Sequence, residues 1–237
     1  MGEIRDIEVV VFDVLGTLVD ESSGLRAAMR EAVPASDEAA VDEWVSLWQQ
    51  YCEREQGRIE QGHRPYASTA VIDAEAAQRV AEQAGIDDPA VVGRLATAGQ
   101  RLPPWSDSVA ALGRLARRFP VIGLSHASRT ALLRLNAHAG LCWHQALSAE
   151  TVRAYKPAPE VYRLAVDTAG CPPERVLMVA AHAWDLRGAR AVGLRTAYVR
   201  RPVGDPPADS DDFDGRFDGL DRLVSMLTAG QVASGSP

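Results

Sequence analysis

Lysine is almost absent from this chain. Of its 25 lysine and arginine residues, only Lys156 is a lysine. An arginine excess is what codon usage in a GC-rich genome would produce, but such usage does not explain the place where the one lysine remains. Cysteine is scarce too: Cys52, Cys142 and Cys171 lie far apart, with no CxxC spacing. That pattern argues against a disulfide framework and for reduced thiols, and so predicts a cytoplasmic protein. The opening MGEIRDIEVVVFD is acidic and lacks the basic segment of a secretory leader. Five dispersed histidines argue against a zinc site. No apolar run approaches the roughly 20 residues needed to span a bilayer. Positive charge is in deficit, with a net charge of −7, which disfavours nucleic acid or an anionic membrane as a partner.

What is present is an ordinary globular composition, 46% hydrophobic and 24% charged over 237 residues, enough for a sizeable core. Residues 7–12 (IEVVVF) form a continuous β-branched run, the mark of a strand buried on both faces. Similar runs recur at 121–124, 176–179 and 195–199. Helical patterns fill 107–119, 129–139, 159–168 and 186–191 between them, and a last one covers 220–227. Strand and helix alternate, so the fold class is α/β: a Rossmann-like parallel sheet with helices on both faces. Residues 21–99 break the alternation and read as helices only, with Val41, Trp44, Val45, Trp48, Tyr51 and Cys52 on one face. The expected organisation is a core of residues 1–20 plus 100–228, a small helical cap of 21–99 inserted after the first strand, and a flexible tail at 229–237.

Open parallel sheets bind ligands beyond the carboxyl ends of their strands. The polar residues placed there are Asp13, then Ser125 and His126, then His182 and Asp185, with Lys156 in the loop VRAYKPAPEVY. Each also has a plain structural reading. Asp13 could cap a turn, Ser125 or Asp185 could cap a helix, and Lys156 could sit on the surface. Either histidine could be hydrogen-bonded framework, and Trp184 could be packing. Ser128 is a better cap than Ser125 for the helix that follows it.

Taken together, VVVFDVLGTLVD, GLSHAS, AYKPAPEVY and VLMVAAHAWDLRGARAVGL resemble the haloacid dehalogenase superfamily, over nearly the whole chain. The resemblance implies the family's core with a cap after the first strand. It makes Asp13 the nucleophile, with Ser125 and Lys156 orienting substrate and nucleophile. Two departures from the phosphatase members stand out. Leu15 occupies the position of their proton-donating aspartate, and Ala181 that of an acidic magnesium ligand. A leucine cannot transfer a proton, and magnesium wants carboxylate oxygens. The same pattern is similar to the 2-haloacid dehalogenases, which implies no metal and no organic cofactor.

That resemblance implies displacement of halide from the alpha carbon of a small carboxylate substrate, through an ester on Asp13. Asp185 is expected to position or activate the water that follows, and Ser125 to bind the substrate carboxylate. Leu15, Tyr66, Trp105 and Trp184 are candidate apolar walls. His126 and His182 stand where the family carries asparagine. Gln49, after Trp48, stands where it carries a halide-binding arginine, with Arg54 or Arg58 as substitutes. The alternatives are cleavage of another bond alpha to a carboxylate, as in a strained cyclic amino acid, a magnesium-dependent phosphatase, or a non-catalytic binding protein. The resemblance also implies a homodimer. The Trp44 and Trp48 face belongs either to such an interface or to the cap's own core.

Overall fold

The computed structural model describes residue 4 and residues 6–229. The expected tail, apart from Ala229, lies outside the described residues. Among the described residues, six strands form one parallel sheet: β1 (Val9–Asp13), β2 (Val121–Ser125), β3 (Gln145–Ser148), β4 (Val176–Ala180), β5 (Arg195–Val199) and β6 (Gly215–Phe217). Their spatial order is β3-β2-β1-β4-β5-β6. The chain therefore winds outward from β1 in one direction, then crosses to β4 and winds outward in the other. The carboxyl ends of β1 and β4 flank that reversal, where such sheets open a crevice.

Each residue of β1, β2 and β4 is buried, because helices cover both sheet faces. Val10, Phe12, Leu177 and Val179 face one way, against α5 (Ser108–Leu115), α6 (Arg129–Ala139) and α9 (Leu220–Ala229). Val9, Val11, Val176 and Met178 face the other way, against α7 (Pro159–Ala169) and α8 (Ala183–Ala191). The alternation follows from the two-residue period of a strand. The two strands not foreseen, β3 and β6, are the edges. Gln145 is exposed and Arg216 points to solvent, so neither segment carries the apolar run that marks a central strand.

Local chemistry sets the helix ends. Ser128 accepts the Ala131 N–H at 3.2 Å and starts α6, while Ser125 remains in β2. Pro159 opens α7, where its missing N–H costs nothing.

Residues between β1 and α5 form α1 (Glu21–Ala32), α2 (Glu38–Glu60), α3 (Thr69–Ala84) and α4 (Pro89–Ala96). They enclose a separate cluster that includes Leu25, Met29, Val41, Trp44, Val45, Val80 and Leu95. Trp44 and Trp48 keep only 8% and 4% of their surface, so the aromatic stripe is spent inside the cap. Among the described residues, no helix is long and apolar enough to cross a membrane.

One glycine is required by packing beneath the site. A Cβ on Gly188 of α8 would lie 2.5 Å from the Tyr162 hydroxyl oxygen. In a free helix, glycine to alanine gains about 1 kcal/mol. Here the overlap, at about 1–3 kcal/mol for an overpacked core, outweighs that gain. Gly188→Ala is therefore expected to lower the urea unfolding midpoint.

Candidate active site

Asp13 ends β1, and Lys156 reaches it from the loop that precedes α7. The Lys156 ammonium donates to Asp13 Oδ1 at 2.9 Å and to Asp185 Oδ2 at 2.7 Å. Asp185, in the first turn of α8, also accepts the Tyr162 hydroxyl on Oδ1 at 2.8 Å. The other oxygen of Asp13 accepts the Thr17 hydroxyl at 2.6 Å, and His182 Nδ1 lies 3.2 Å from it. Thr17 in turn accepts the Ala181 N–H at 2.9 Å, which joins β4 to the turn after β1. Lys156, Asp13 and Asp185 are 2%, 7% and 0% exposed, so these charges can be kept only as a mutually satisfied set.

The charges follow from that geometry. Burial alone would raise Asp13, but the Lys156 ammonium, His182 and the Thr17 hydroxyl hold its carboxyl well below the usual carboxylate range. Burial would lower Lys156, and its two carboxylates raise it instead. Asp185 is pushed up, chiefly by burial, against the opposing pull of Lys156. His182 is raised, since the Asp13 contact overcomes the effect of burial. His126 is lowered to about 3, by burial first and then by the Lys156 charge. Neutral His126 suits its contact: Nε2 accepts the Lys156 backbone N–H at 2.7 Å and so braces the lysine loop.

A cavity of about 280 Å³ opens on this cluster. Asp13, Leu15, Ser125, His126, Lys156, His182, Trp184 and Gln49 line it, so the structure gathers most of the residues chosen from the sequence. Asp185 does not line it; both of its oxygens are engaged behind Lys156. Trp105 and Tyr66 do not line it either. Trp105 Nε1 donates to the Gly16 carbonyl at 3.0 Å and braces the turn after Asp13. Tyr66 packs on Tyr155, with ring centroids 5.7 Å apart. Arg54 and Arg58 both turn to Glu55, and among the described residues no arginine lines the cavity.

Sequence reasoning missed Thr17, Tyr162 and Thr69. Thr17 stands four residues after Asp13 and Tyr162 six after Lys156, within the segments already singled out. Thr69 carried no such signal. Its hydroxyl accepts the Ser128 N–H at 2.9 Å and donates to the His126 carbonyl at 3.3 Å, tying α3 of the cap to the loop after β2.

Magnesium, which a phosphatase would need, does not fit these residues. The carboxylate oxygens of Asp13 and Asp185 already face an ammonium, hydroxyls and an imidazole. Leu15 and Ala181 offer no side-chain oxygen. Among the described residues, no group of three or more His, Cys, Asp or Glu could hold a metal.

Two outcomes follow from the ion cluster. Lys156→Met leaves two buried carboxylates without their cation and should cost on the order of 3–5 kcal/mol in urea unfolding. The raised pKa of folded His182 contributes stability that is complete below its unfolded value of about 6.5 and is lost as pH rises through the folded value. The stability difference between wild type and His182→Asn should thus be largest in mild acid and shrink in alkali. An equal difference at every pH would exclude the His182–Asp13 ion pair.

Comparison with known proteins agrees with this geometry. The family model for haloacid dehalogenase-like hydrolases matches residues 7–193. (S)-2-haloacid dehalogenase H-109 of Pseudomonas putida is 32% identical over 202 residues, 84% of this chain and 88% of that protein. The (S)-2-haloacid dehalogenase of Xanthobacter autotrophicus is 32% identical over 198 residues, covering 82% of this chain and 76% of its own. The crystal structure of L-2-haloacid dehalogenase PA0810 superposes with a TM-score of 0.85 at 30% identity, covering 94% of this chain and 99% of its own. The Xanthobacter enzyme with chloropropionic acid covalently bound gives 0.80 at 25% identity, with 94% and 98% covered. With Asp13 and Lys156 paired at the end of β1 and a cap above them, this chain belongs to the haloacid dehalogenase-like hydrolases.

Proposed function

We propose that this protein is a hydrolase of the 2-haloacid dehalogenase type, acting without metal on a carbon–halogen bond alpha to a carboxylate. The observation that carries the reading is the Asp13–Lys156 pair, with a leucine where a phosphatase carries its acid. Asp13 stays ionised at any ordinary pH, as a nucleophile must. Halide leaves without a proton, so Leu15 is no handicap.

The hydrogen bonds around Asp13 divide the labour between its oxygens. Oδ1 accepts one donor, the Lys156 ammonium that it shares with Asp185, whereas Oδ2 faces two, the Thr17 hydroxyl and His182 Nδ1, so Oδ1 keeps the freer lone pair. Oδ1 is therefore the attacking atom. It forms a bond to the alpha carbon as the carbon–halogen bond breaks and halide departs with the electron pair. Oδ2 becomes the ester carbonyl oxygen. When water adds to Cγ, charge develops on Oδ2, where Thr17 Oγ1 and His182 Nδ1 already stand as donors. One such preorganised donor is worth about 10²–10³ in rate. Collapse breaks the Cγ–Oδ1 bond and frees the 2-hydroxy acid, which takes a proton from the surrounding water. Ser125 and His126, which line the cavity, hold the substrate carboxylate in this reading, since the Ala127 and Ser128 N–H groups are already taken by Ser125 and Thr69. Asp185 acts through Lys156, as a positioning residue.

The scattered thiols support a cytoplasmic setting for this activity. The Trp44 and Trp48 stripe, consumed in the cap core, gives no support to a dimer face.

Incubation with (S)-2-chloropropionate should release chloride equally with and without EDTA, and Asp13→Asn should abolish release. In a single turnover in ¹⁸O-water, the label should enter Asp13 and not the product. Label in the first-formed hydroxy acid would rule out the ester route, and no release across a panel of 2-haloacids would overturn the dehalogenase reading.

A further inference from the structure

The wall that the cap contributes to this cavity has the wrong sign for a simple haloacid. Glu21 of α1, Glu53 of α2 and Asp73 of α3 all line the cavity. None of the three forms an ion pair among the described residues. Asp73 has only the Cys52 thiol at 3.8 Å. Lys156, the sole lysine or arginine lining the cavity among the described residues, is already shared by Asp13 and Asp185. Displacement from behind sends the leaving group away from Asp13 and toward the cap, so a departing chloride would meet three carboxylates and no guanidinium.

The wall faces a site that is built for a ligand. Ser125, wholly buried, lines the same cavity. Its oxygen accepts the Ala127 N–H at 3.1 Å, and its own proton has no acceptor among the described residues. A hydrogen-bond donor for an anion is thus offered at the sheet end of the cavity, and carboxylates are offered at the cap end. Glu21 and Asp73 are half-buried and Glu53 is exposed, and carboxylates partly withdrawn from water without partners carry a cost. Burial raises Glu21, and Asp73 is pushed up to about 7, by burial and then by Glu21. A bound cation would relieve that cost.

We infer that the cavity takes a zwitterionic substrate, with its carboxylate at Ser125 and a cationic nitrogen held at the cap wall by Glu21 and Asp73, with Glu53 at the mouth. This rests on the proposed displacement at a carbon alpha to a carboxylate, and it narrows the substrate class to amino acids that carry the scissile bond. The nitrogen either accompanies a halogen or is itself the leaving group of a strained ring. In the second case, the carbon–nitrogen bond breaks as the Asp13 ester forms, and a ring ammonium leaves as the neutral amine before taking up a proton.

The test uses ligands that cannot react, so it stands apart from the chloride assay. β-Alanine and butyrate differ by an ammonium in place of a methyl group. Titrated calorimetrically into the full chain, β-alanine is expected to bind at least about tenfold more tightly. Glu21→Gln and Asp73→Asn should each shrink that ratio several-fold while circular dichroism and urea midpoint confirm folding. Equal affinities, tighter binding of butyrate, no binding of either, or a ratio untouched in the double variant would overturn the inference. Chloride release from 2-chloropropionate with no preference for β-alanine would leave the dehalogenase reading standing and remove this one alone.

Discussion

One ammonium shared by two buried carboxylates is the constraint on which the molecule depends. Lys156 comes from a loop, Asp13 from the middle strand of the sheet and Asp185 from a helix beyond the neighbouring strand. None is stable at its depth without the others. Around this trio, each remaining polar group has a supporting task. Tyr162 occupies the outer oxygen of Asp185, Gly188 leaves room for that hydroxyl, and neutral His126 braces the backbone of the lysine itself. Such outer contacts keep a reactive group within the narrow geometry that catalysis requires.

The same constraint explains why a lysine persists in an arginine-rich chain. A guanidinium is broad and planar and prefers bidentate partners, whereas an ammonium is a compact point charge that can bridge two oxygens in a tight space. The substitution that a compositional drift would favour is the one that this pocket cannot accommodate. Scarcity in the sequence and burial in the structure are thus one fact seen at two levels.

Much of this was legible before any coordinates. The apolar run of residues 7–12, ending in Asp13, announces a central strand with a carboxylate at its open end, because burial on both faces leaves so few sequences possible. The edge strands Gln145–Ser148 and Gly215–Phe217 were not legible, since half-exposed strands lack that signature. In the site, Asp13, Lys156, His182 and Ser125 were found through strand ends and motif spacing. Of the cap's contribution, only Gln49 was. Glu21, Glu53 and Asp73 come from three different helices, and only packing brings them together. Trp105 and Tyr66 illustrate the converse. An aromatic near a motif suggests a wall, yet the indole nitrogen of Trp105 found its partner in the Gly16 carbonyl, and Tyr66 found Tyr155.

Thr69 gives the cap a mechanical role. Its hydroxyl is bonded at once to the amide that begins α6 and to the carbonyl of His126. Nearby, the Tyr155 hydroxyl donates to the Ala67 carbonyl at 2.8 Å. These contacts work as a hasp between the two halves of the protein, and both fasten onto residues adjacent to the site. A cap that lifts must first let go of the loop carrying His126, and His126 in turn holds the lysine loop. A hydrogen bond that fastens the cap and the one that braces the lysine loop therefore meet at a single residue, His126, so the two halves of the protein and the ion cluster share one hinge-pin.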